Sequence, residues 1–570
     1  MTGAENQDTA LTFERDAVGR IVKEAQGDHW ISSTYDELGN RINFESSLGT
    51  KVVLNHNQMG QVSLLAGAQA GNKAWTAQMS YNALGQEELR KVSGGVISEW
   101  QYDSMGRVKS HRVGSNDRDS RRRKYDWDVN QRLKSITDDL NNKRTTFSYD
   151  QFSNLVKADY GFGDILSRES DDVGNLYEKA DKSDRIYGKG SRLEKSKVNT
   201  NELKNQFQGG RGKLVTEGVE YSYDGEGNLI KKAEPNGNIT KYDYYGNGML
   251  KEVTKPDGET VSFKYDSLGR RIEKSSDSNI IKFVWDGNNP LHEWEEENRQ
   301  ESLTTWIFDE GSFVPSAKMT NQGNYSIITD HLGTPVEAYD EDGEKVWEQE
   351  LDIYGRVKPR PVVKEWGQVV DDGMFGEHFI PFRYQGQYSD KELNGELYYS
   401  RYRYYDPQLG QYITQDPIGL DGNNPTLYAY VPDSNTQIDP LGLWWWSHKI
   451  IGNAQTTGTA GHAFLSKLHA NLNAMNPNVV RVTMDLGYKK LLGDGAFKWG
   501  PRPDVGVLYK NGNVKIIEVA SKTDNIQNLV DRNKDWMDQH NIKGKGKNPV
   551  KVNSWAKRFD SFKKKLRGCG

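Results

Sequence analysis

VSFKYDSLGRRIEKS, residues 261–275, decides the fold. The flank before the turn, VSFKYD, and the flank after it, RRIEKS, alternate in polarity, the signature of strands with one buried and one wet face. Between them Asp266 and Gly269 suit a tight hairpin turn, because Gly accepts positive φ and Asp bonds to nearby amides. The same pattern of Tyr, Asp or Asn, two variable residues and Gly starts at Tyr35, Tyr81, Tyr102, Tyr223, Tyr242 and Tyr339. Degenerate copies stand at Tyr125 (YDWDV) and Tyr149 (YDQFS). Tyr81 to Tyr102 is 21 residues, and Tyr102 to Tyr125 and Tyr242 to Tyr265 are 23 each. A hairpin of about 20 residues cannot bury its apolar face alone, so such repeats must stack. A long, winding antiparallel sheet is predicted.

Composition agrees. Of 570 residues only 35% are hydrophobic and mean hydropathy is −0.84, yet 11% are aromatic, which excludes ordinary disorder. No stretch approaches the ~20 apolar residues of a membrane helix. The N-terminus, MTGAENQDTALTFERD, lacks the basic and apolar regions of a signal peptide. One cysteine, Cys569, excludes an intrachain disulfide framework. The net charge of −5 hides a division: residues 444–570 carry 22 Lys+Arg and 9 Asp+Glu, or +13, and the remainder is −18. Such asymmetry points to an anionic or nucleic-acid partner for the tail.

From about residue 30 to 443 the chain resembles the YD-repeat proteins of the Rhs and insecticidal toxin-complex families. The resemblance implies a hollow β-shell around a polypeptide cargo. Residues 381–443, PFRYQGQYSDKELNGELYYSRYRYYDPQLGQYITQDPIGLDGNNPTLYAYVPDSNTQIDPLGL, resemble the Rhs core terminus, departing from it at DGNNPT and VPDSN. In that family the core terminus is an aspartyl autoprotease. Mapped onto this chain, the resemblance implies a cut between Leu443 and Trp444 by Asp416, in QDPIGL, and Asp439, in IDPLGL. Two close carboxylates cannot both ionise cheaply, so one can activate water while the other donates a hydrogen bond. Read from spacing alone, both are caps of Asp-Pro turns.

The tail reads as α, three β, α, β: a helix from Gly461, strands VVRVTMDL, DVGVLYK and VKIIEVAS, a helix NIQNLVDRNKDWMDQH and a last strand NPVKVNS. WWWSHKIIGNAQTTG reads as a leader and WAKRFDSFKKKLRG as a basic helix. Asp504 enters the first strand of a hairpin turned at Asn511-Gly512, and Glu518 lies on the second, sharing a face with Ala520 and Lys522. This resembles the PD-(D/E)XK nucleases, whose acidic pair binds Mg²⁺ (or Mn²⁺) and whose lysine supports the nucleophile. The family lysine position is Ala520 here, and Lys522 is the substitute; Ser521 and His462 are possible contributors. KGKGK at Lys543 and KKKLR at Lys563 are candidate phosphate contacts.

The sequence thus predicts a mostly β YD-repeat shell followed by a small α/β restriction-endonuclease-like domain (αβββαβ). The divisions are residues 1–30, an N-terminal segment; 31–380, the β-shell; 381–443, the core terminus with its autoprotease; and 444–570, the toxin domain. The expected activity is a metal-dependent nuclease, DNA favoured over RNA or tRNA. Rival readings are another toxin enzyme, such as an ADP-ribosyltransferase, or a non-enzymatic adhesion protein; a zinc deaminase is excluded for want of cysteines. Expected partners are an acidic immunity protein, a secretion spike or adaptor and a second copy of the chain, because the shell is about half the usual length. The chain would be cytoplasmic in its producer and exported by a non-Sec route, type VI above all.

Overall fold

A computed structural model describes residues 2–69, 73–197, 218–359, 364–365, 368–369, 375–419, 426–443, 450–451, 479–484, 504–509, 514–520, 526–539 and 550–554. The repeats form two long antiparallel sheets in which every strand pairs with its neighbours in the chain. The first has sixteen strands, from Gly3–Glu5 to Ile165–Ser167, and the second has fifteen, from Arg185–Tyr187 to Lys345–Glu348.

Most repeats are held at the turn by their own Asp or Asn. The Asp103 N–H donates to Arg107 O at 2.9 Å and the Gly106 N–H to Asp103 O at 2.9 Å. Asp103 Oδ1 accepts the Met105 and Arg107 N–H groups at 2.9 and 3.0 Å. Gly106 sits at φ 78°, the left-handed region that glycine enters without cost. In most copies the tyrosine reaches back one repeat. Tyr102 OH donates to Glu87 O at 2.7 Å, Tyr149 OH to Leu133 O at 2.8 Å and Tyr265 OH to Leu250 O at 2.7 Å. Each acceptor is the fifth residue after the preceding turn's first residue, so the tyrosines lace successive hairpins together.

That lacing corrects two registers. Tyr125 and Asp126 lie inside the strand Arg118–Trp127; the turn begins at Asp128, and Trp127 Nε1 donates to Val108 O at 2.7 Å in the tyrosine's place. Likewise Tyr242 and Asp243 lie inside Ile239–Tyr244, and the turn begins at Tyr245, with Tyr244 OH donating to Leu229 O at 2.7 Å. In both cases an aromatic at the strand's last position outcompetes the earlier Tyr-Asp pair. Further turns of the same kind, unread in the sequence, begin at Asp16, Asn57, Asp171, Asp330 and Asp352.

The second sheet is the middle of three layers. One of its faces packs Val284, Leu291, Trp294, Ile307 and Met319 against Val52, Leu54, Leu65 and Trp75 of the first sheet. The other packs Val261, Phe263, Trp285, Trp306 and Trp347 against Phe382, Leu397, Tyr399, Tyr404 and Ile413 of the terminal segment. Strand alternation therefore survives at Trp75–Tyr81 but is lost at Thr304–Phe308 and Pro335–Tyr339, which are buried on both faces. Where these apolar layers meet, the two sheets are packed directly together. A polar cavity of about 640 Å³ opens beside Arg121, Glu337, Glu350 and Ser434, the size of a small-molecule pocket and far below a 127-residue tail.

Beyond residue 443 a separate five-stranded sheet runs in the order Ile450–Ile451, Val479–Met484, Val505–Tyr509, Val514–Ala520, Val550–Ser554. The outer pairs are parallel and the inner two antiparallel. The helix Ile526–Gln539 precedes the last strand, as a parallel crossover requires. Ile450–Ile451, read as leader, is an edge strand. The helix expected from Gly461 and the basic helix after residue 554 lie outside the described residues.

Candidate active sites

The terminal layer folds four short strands, Tyr388–Ser389, Tyr398–Ser400, Arg403–Asp406 and Gln411–Tyr412, against the second sheet. Their aromatic alternation buries one tyrosine after another, and it also carries Arg403 to full burial. A buried guanidinium must be paired. Arg403 Nη2 donates to Asp416 Oδ2 at 3.0 Å and stands 3.4 Å from Asp439 Oδ2. Its Nη1 donates to Leu427 O at 3.1 Å and its Nε to Gly442 O, and its plane covers the Tyr412 ring at 3.7 Å.

The structure thus brings the two sequence-predicted aspartates together, and both are buried. Tyr412 OH donates to Asp439 Oδ2 at 2.8 Å. The Leu443 N–H donates to Asp439 Oδ1 at 3.0 Å, so the last residue of the layer is tied to the pair. Asp416 Oδ1 accepts the Ile418 N–H at 3.0 Å. Burial pushes the Asp416 carboxyl up to about 7; Arg403 and the Ile418 N–H pull it down and the Asp439 charge adds to the rise. Asp416 can therefore stay protonated near neutrality. Arg403 and Tyr412 were not singled out in the sequence, although both stand in the quoted core-terminal stretch.

The second pair lies in the five-stranded sheet. Asp504 opens Val505–Tyr509, and Glu518 lies within the adjacent strand Val514–Ala520; both side chains are buried. The Asp504 N–H donates to Glu518 Oε2 at 3.3 Å. Two residues of the crossover helix reach the other oxygen: Arg532 Nη2 and Asn533 Nδ2 each donate to Glu518 Oε1 at 2.6 Å. Burial, then the Asp504 charge, raises the Glu518 carboxyl above its ordinary value, and Asn533 and Arg532 hold it back. Neither helix residue was anticipated. Lys522, Ser521 and His462 lie outside the described residues, and among those described no cluster of three His, Cys, Asp or Glu side chains could hold a metal.

Laced turn-acid hairpins, closed by a terminal layer that wraps a paired-aspartate site, define a YD-repeat shell of the Rhs type. The chain belongs to the Teneurin YD-shell family, which matches residues 72–424. It is 26% identical over 480 residues to the double-stranded DNA deaminase toxin A of Burkholderia cenocepacia, covering 76% of this chain and 30% of that one. It is 23% identical over 465 residues to the probable deoxyribonuclease RhsB of Dickeya dadantii, covering 76% and 29%. The chain thus spans about a third or less of the length of these relatives. Among solved structures it resembles the TcdB2-TccC3-Cdc42 crystal structure, with a TM-score of 0.53, 17% identity and coverage of 76% of this chain and 24% of that one. At that identity the likeness concerns the fold. No described helix is long and apolar enough to cross a membrane.

Proposed function

We propose that this chain is the shell and cargo of a self-processing toxin. The terminal layer hydrolyses the bond between Leu443 and Trp444, and residues 444–570 then cleave nucleic-acid phosphodiester bonds, DNA before RNA. The observation that carries this reading is the pair of buried carboxylate sites on the two sides of one junction, one tied to Leu443 and one on the tail hairpin. In the first, Asp439 takes a proton from water as the oxygen adds to the Leu443 carbonyl. Asp416, protonated, donates to that carbonyl oxygen, and the proton is passed to the departing Trp444 amine.

In the second site the donor set fits Mg²⁺ or Mn²⁺, because Asp504 and Glu518 offer oxygen ligands whose charges repel each other and are only partly neutralised. Bound there, the cation would polarise the phosphate and activate water. Lys522 is the residue to support the nucleophile. A basic tail favours a nucleic-acid substrate, an acidic immunity protein as its blocker, and delivery by a non-Sec route such as type VI secretion.

The purified full-length chain tests both steps. A denaturing gel should show two fragments, and Asp416→Asn or Asp439→Asn a single band at 64.7 kDa. A single band for the unsubstituted chain removes the first step. Plasmid DNA and total RNA, each with Mg²⁺ or chelator, test the second; full activity in Asp504→Ala and Glu518→Ala, or none in the parent, removes it.

A further inference from the structure

The turns along one edge of the first sheet carry an unusual residue at the tip. In six consecutive turns, beginning at Asp36, Asn57, Asn82, Asp103, Asp128 and Asp150, one of the two central residues is large and apolar: Leu38, Met59, Leu84, Met105 and Phe152 at the third position and Val129 at the second, beside Asn130. Every one is 64–97% exposed. Single exposed apolar residues need no explanation, but a contiguous row does. The opposite edge of the same sheet turns mostly on polar residues, as at Gly27-Asp28 and Asn116-Asp117.

The second sheet supplies the rule that such tips follow. On its corresponding edge the exposed tips are polar, Glu226 and Asn247, and the apolar tips are covered. Leu268 is half-buried, with Arg401 Nη2 donating to its carbonyl at 3.0 Å, and in the turn that follows the sheet Tyr354 is buried, with Tyr405 OH donating to its carbonyl at 2.6 Å. Along the second sheet an apolar tip thus goes with burial, whereas among the described residues nothing covers the first-sheet row.

The row is also pre-organised. Gln61 Nε2 donates to Gly85 O at 2.7 Å, Gln86 Nε2 to Gly106 O at 2.7 Å and Arg107 Nη1 to Asp128 O at 3.1 Å, so each turn is braced against the next. A rigid comb loses little entropy on docking. Successive teeth are two strands apart, about 10 Å, a spacing that an identical row matches.

We infer that this edge is a docking surface for the same edge of a second copy of the chain, the two rows interdigitating about a two-fold axis. Transfer energies of roughly 1.5–3 kcal/mol per large apolar side chain correspond to about 60–120 Å² each. Six teeth then bury about 400–700 Å² per copy, and the turn atoms around them bring this near the ~800 Å² per partner of a stable interface. The inference is independent of either activity proposed above.

The test is the solution mass of the full chain, in an Asp416→Asn background so that it stays whole. Light scattering at micromolar concentration should give twice 64.7 kDa. Leu38→Glu with Leu84→Glu should raise the dissociation constant at least 100-fold and give a monomer with an unchanged melting profile. Leu140→Glu with Phe162→Glu, exposed apolar residues of the opposite edge, should leave the dimer intact. A parent chain that is monomeric at all concentrations overturns the inference, as does a dimer indifferent to Leu38 and Leu84. So does flotation of a monomeric parent chain with phosphatidylcholine vesicles that the Leu38/Leu84 variant abolishes, which would make the row a lipid-facing surface.

Discussion

The two carboxylate pairs solve one electrostatic problem in opposite ways. Each takes two acids out of water and sets an arginine against the pair. Arg403 is fully buried, touches both aspartates and is fixed by two backbone carbonyls, whereas the Arg532 side chain is 48% exposed and, among the described residues, pairs with Glu518. A buried arginine cannot leave without unpacking its layer, so the charge balance of the first pair is permanent. A half-exposed one can swing into water and uncover an oxygen. The first arrangement suits a site that acts once on its own chain, and the second suits one that must admit a cation and an outside substrate.

The largest expected effect comes from removing the permanent partner. Arg403→Met leaves two acids buried with no cation and should cost about 3–5 kcal/mol. Urea unfolding followed by the tyrosine signal of the terminal layer would show the loss, together with an uncut chain. A cost under about 1 kcal/mol would erase the distinction between the two arginines.

Next in size is a pH dependence that belongs to the first pair. Folded Asp416 holds its proton up to about 7, against an ordinary 3.8. Between those values the folded layer binds more protons than the unfolded chain, so its stability falls as pH rises across that window and levels off above about 7. Asp416→Asn should flatten this slope, measured as the urea midpoint between pH 4 and 8. Self-cleavage in the parent should also decline above about 7, as the proposed acid loses its proton.

Much of this was legible in the sequence, for local reasons. Turn chemistry is local: an Asp that bonds amides two and four residues on, with a Gly at positive φ, announces itself. The copies at Tyr125 and Tyr242 were misplaced because a Tyr-Asp pair can sit inside a strand, and only the backbone it laces to reveals which aromatic ends that strand. The burial of the second sheet on both faces depends on two other layers folding over it, which no strand's own alternation records. The same holds for the sites. Asp416, Asp439, Asp504 and Glu518 stand in motifs, whereas Arg403, Arg532 and Asn533 acquire their roles only when a strand or a crossover helix returns from elsewhere in the chain.

A smaller effect should separate stability from function in the second pair. Ionised Glu518 suffers burial and the Asp504 charge, so Glu518→Gln relieves both. Hydrogen exchange of Val514–Ala520 should slow while nuclease activity disappears, the trade expected of a site that stores electrostatic strain. Faster exchange would mean that Glu518 is a structural anchor like the Arg403 partners.

The smallest effect is the sharpest test of the comparison. Arg532→Gln removes a half-exposed ion pair, and such pairs contribute about 0–1 kcal/mol, because water screens the attraction and the long side chain loses freedom to make it. Glu518 keeps the Asn533 amide and the Asp504 N–H, so exchange across Val514–Ala520 should stay within error of the parent. The cation is another matter. Arg532 occupies the oxygen that a divalent ion would use, and its removal takes away a competitor. The Mg²⁺ concentration for half-maximal cleavage should therefore fall severalfold, while a defect in substrate affinity would reveal a separate phosphate contact. If instead exchange quickened and the metal requirement held steady, Arg532 would be a clamp and the two arginines would be doing the same job.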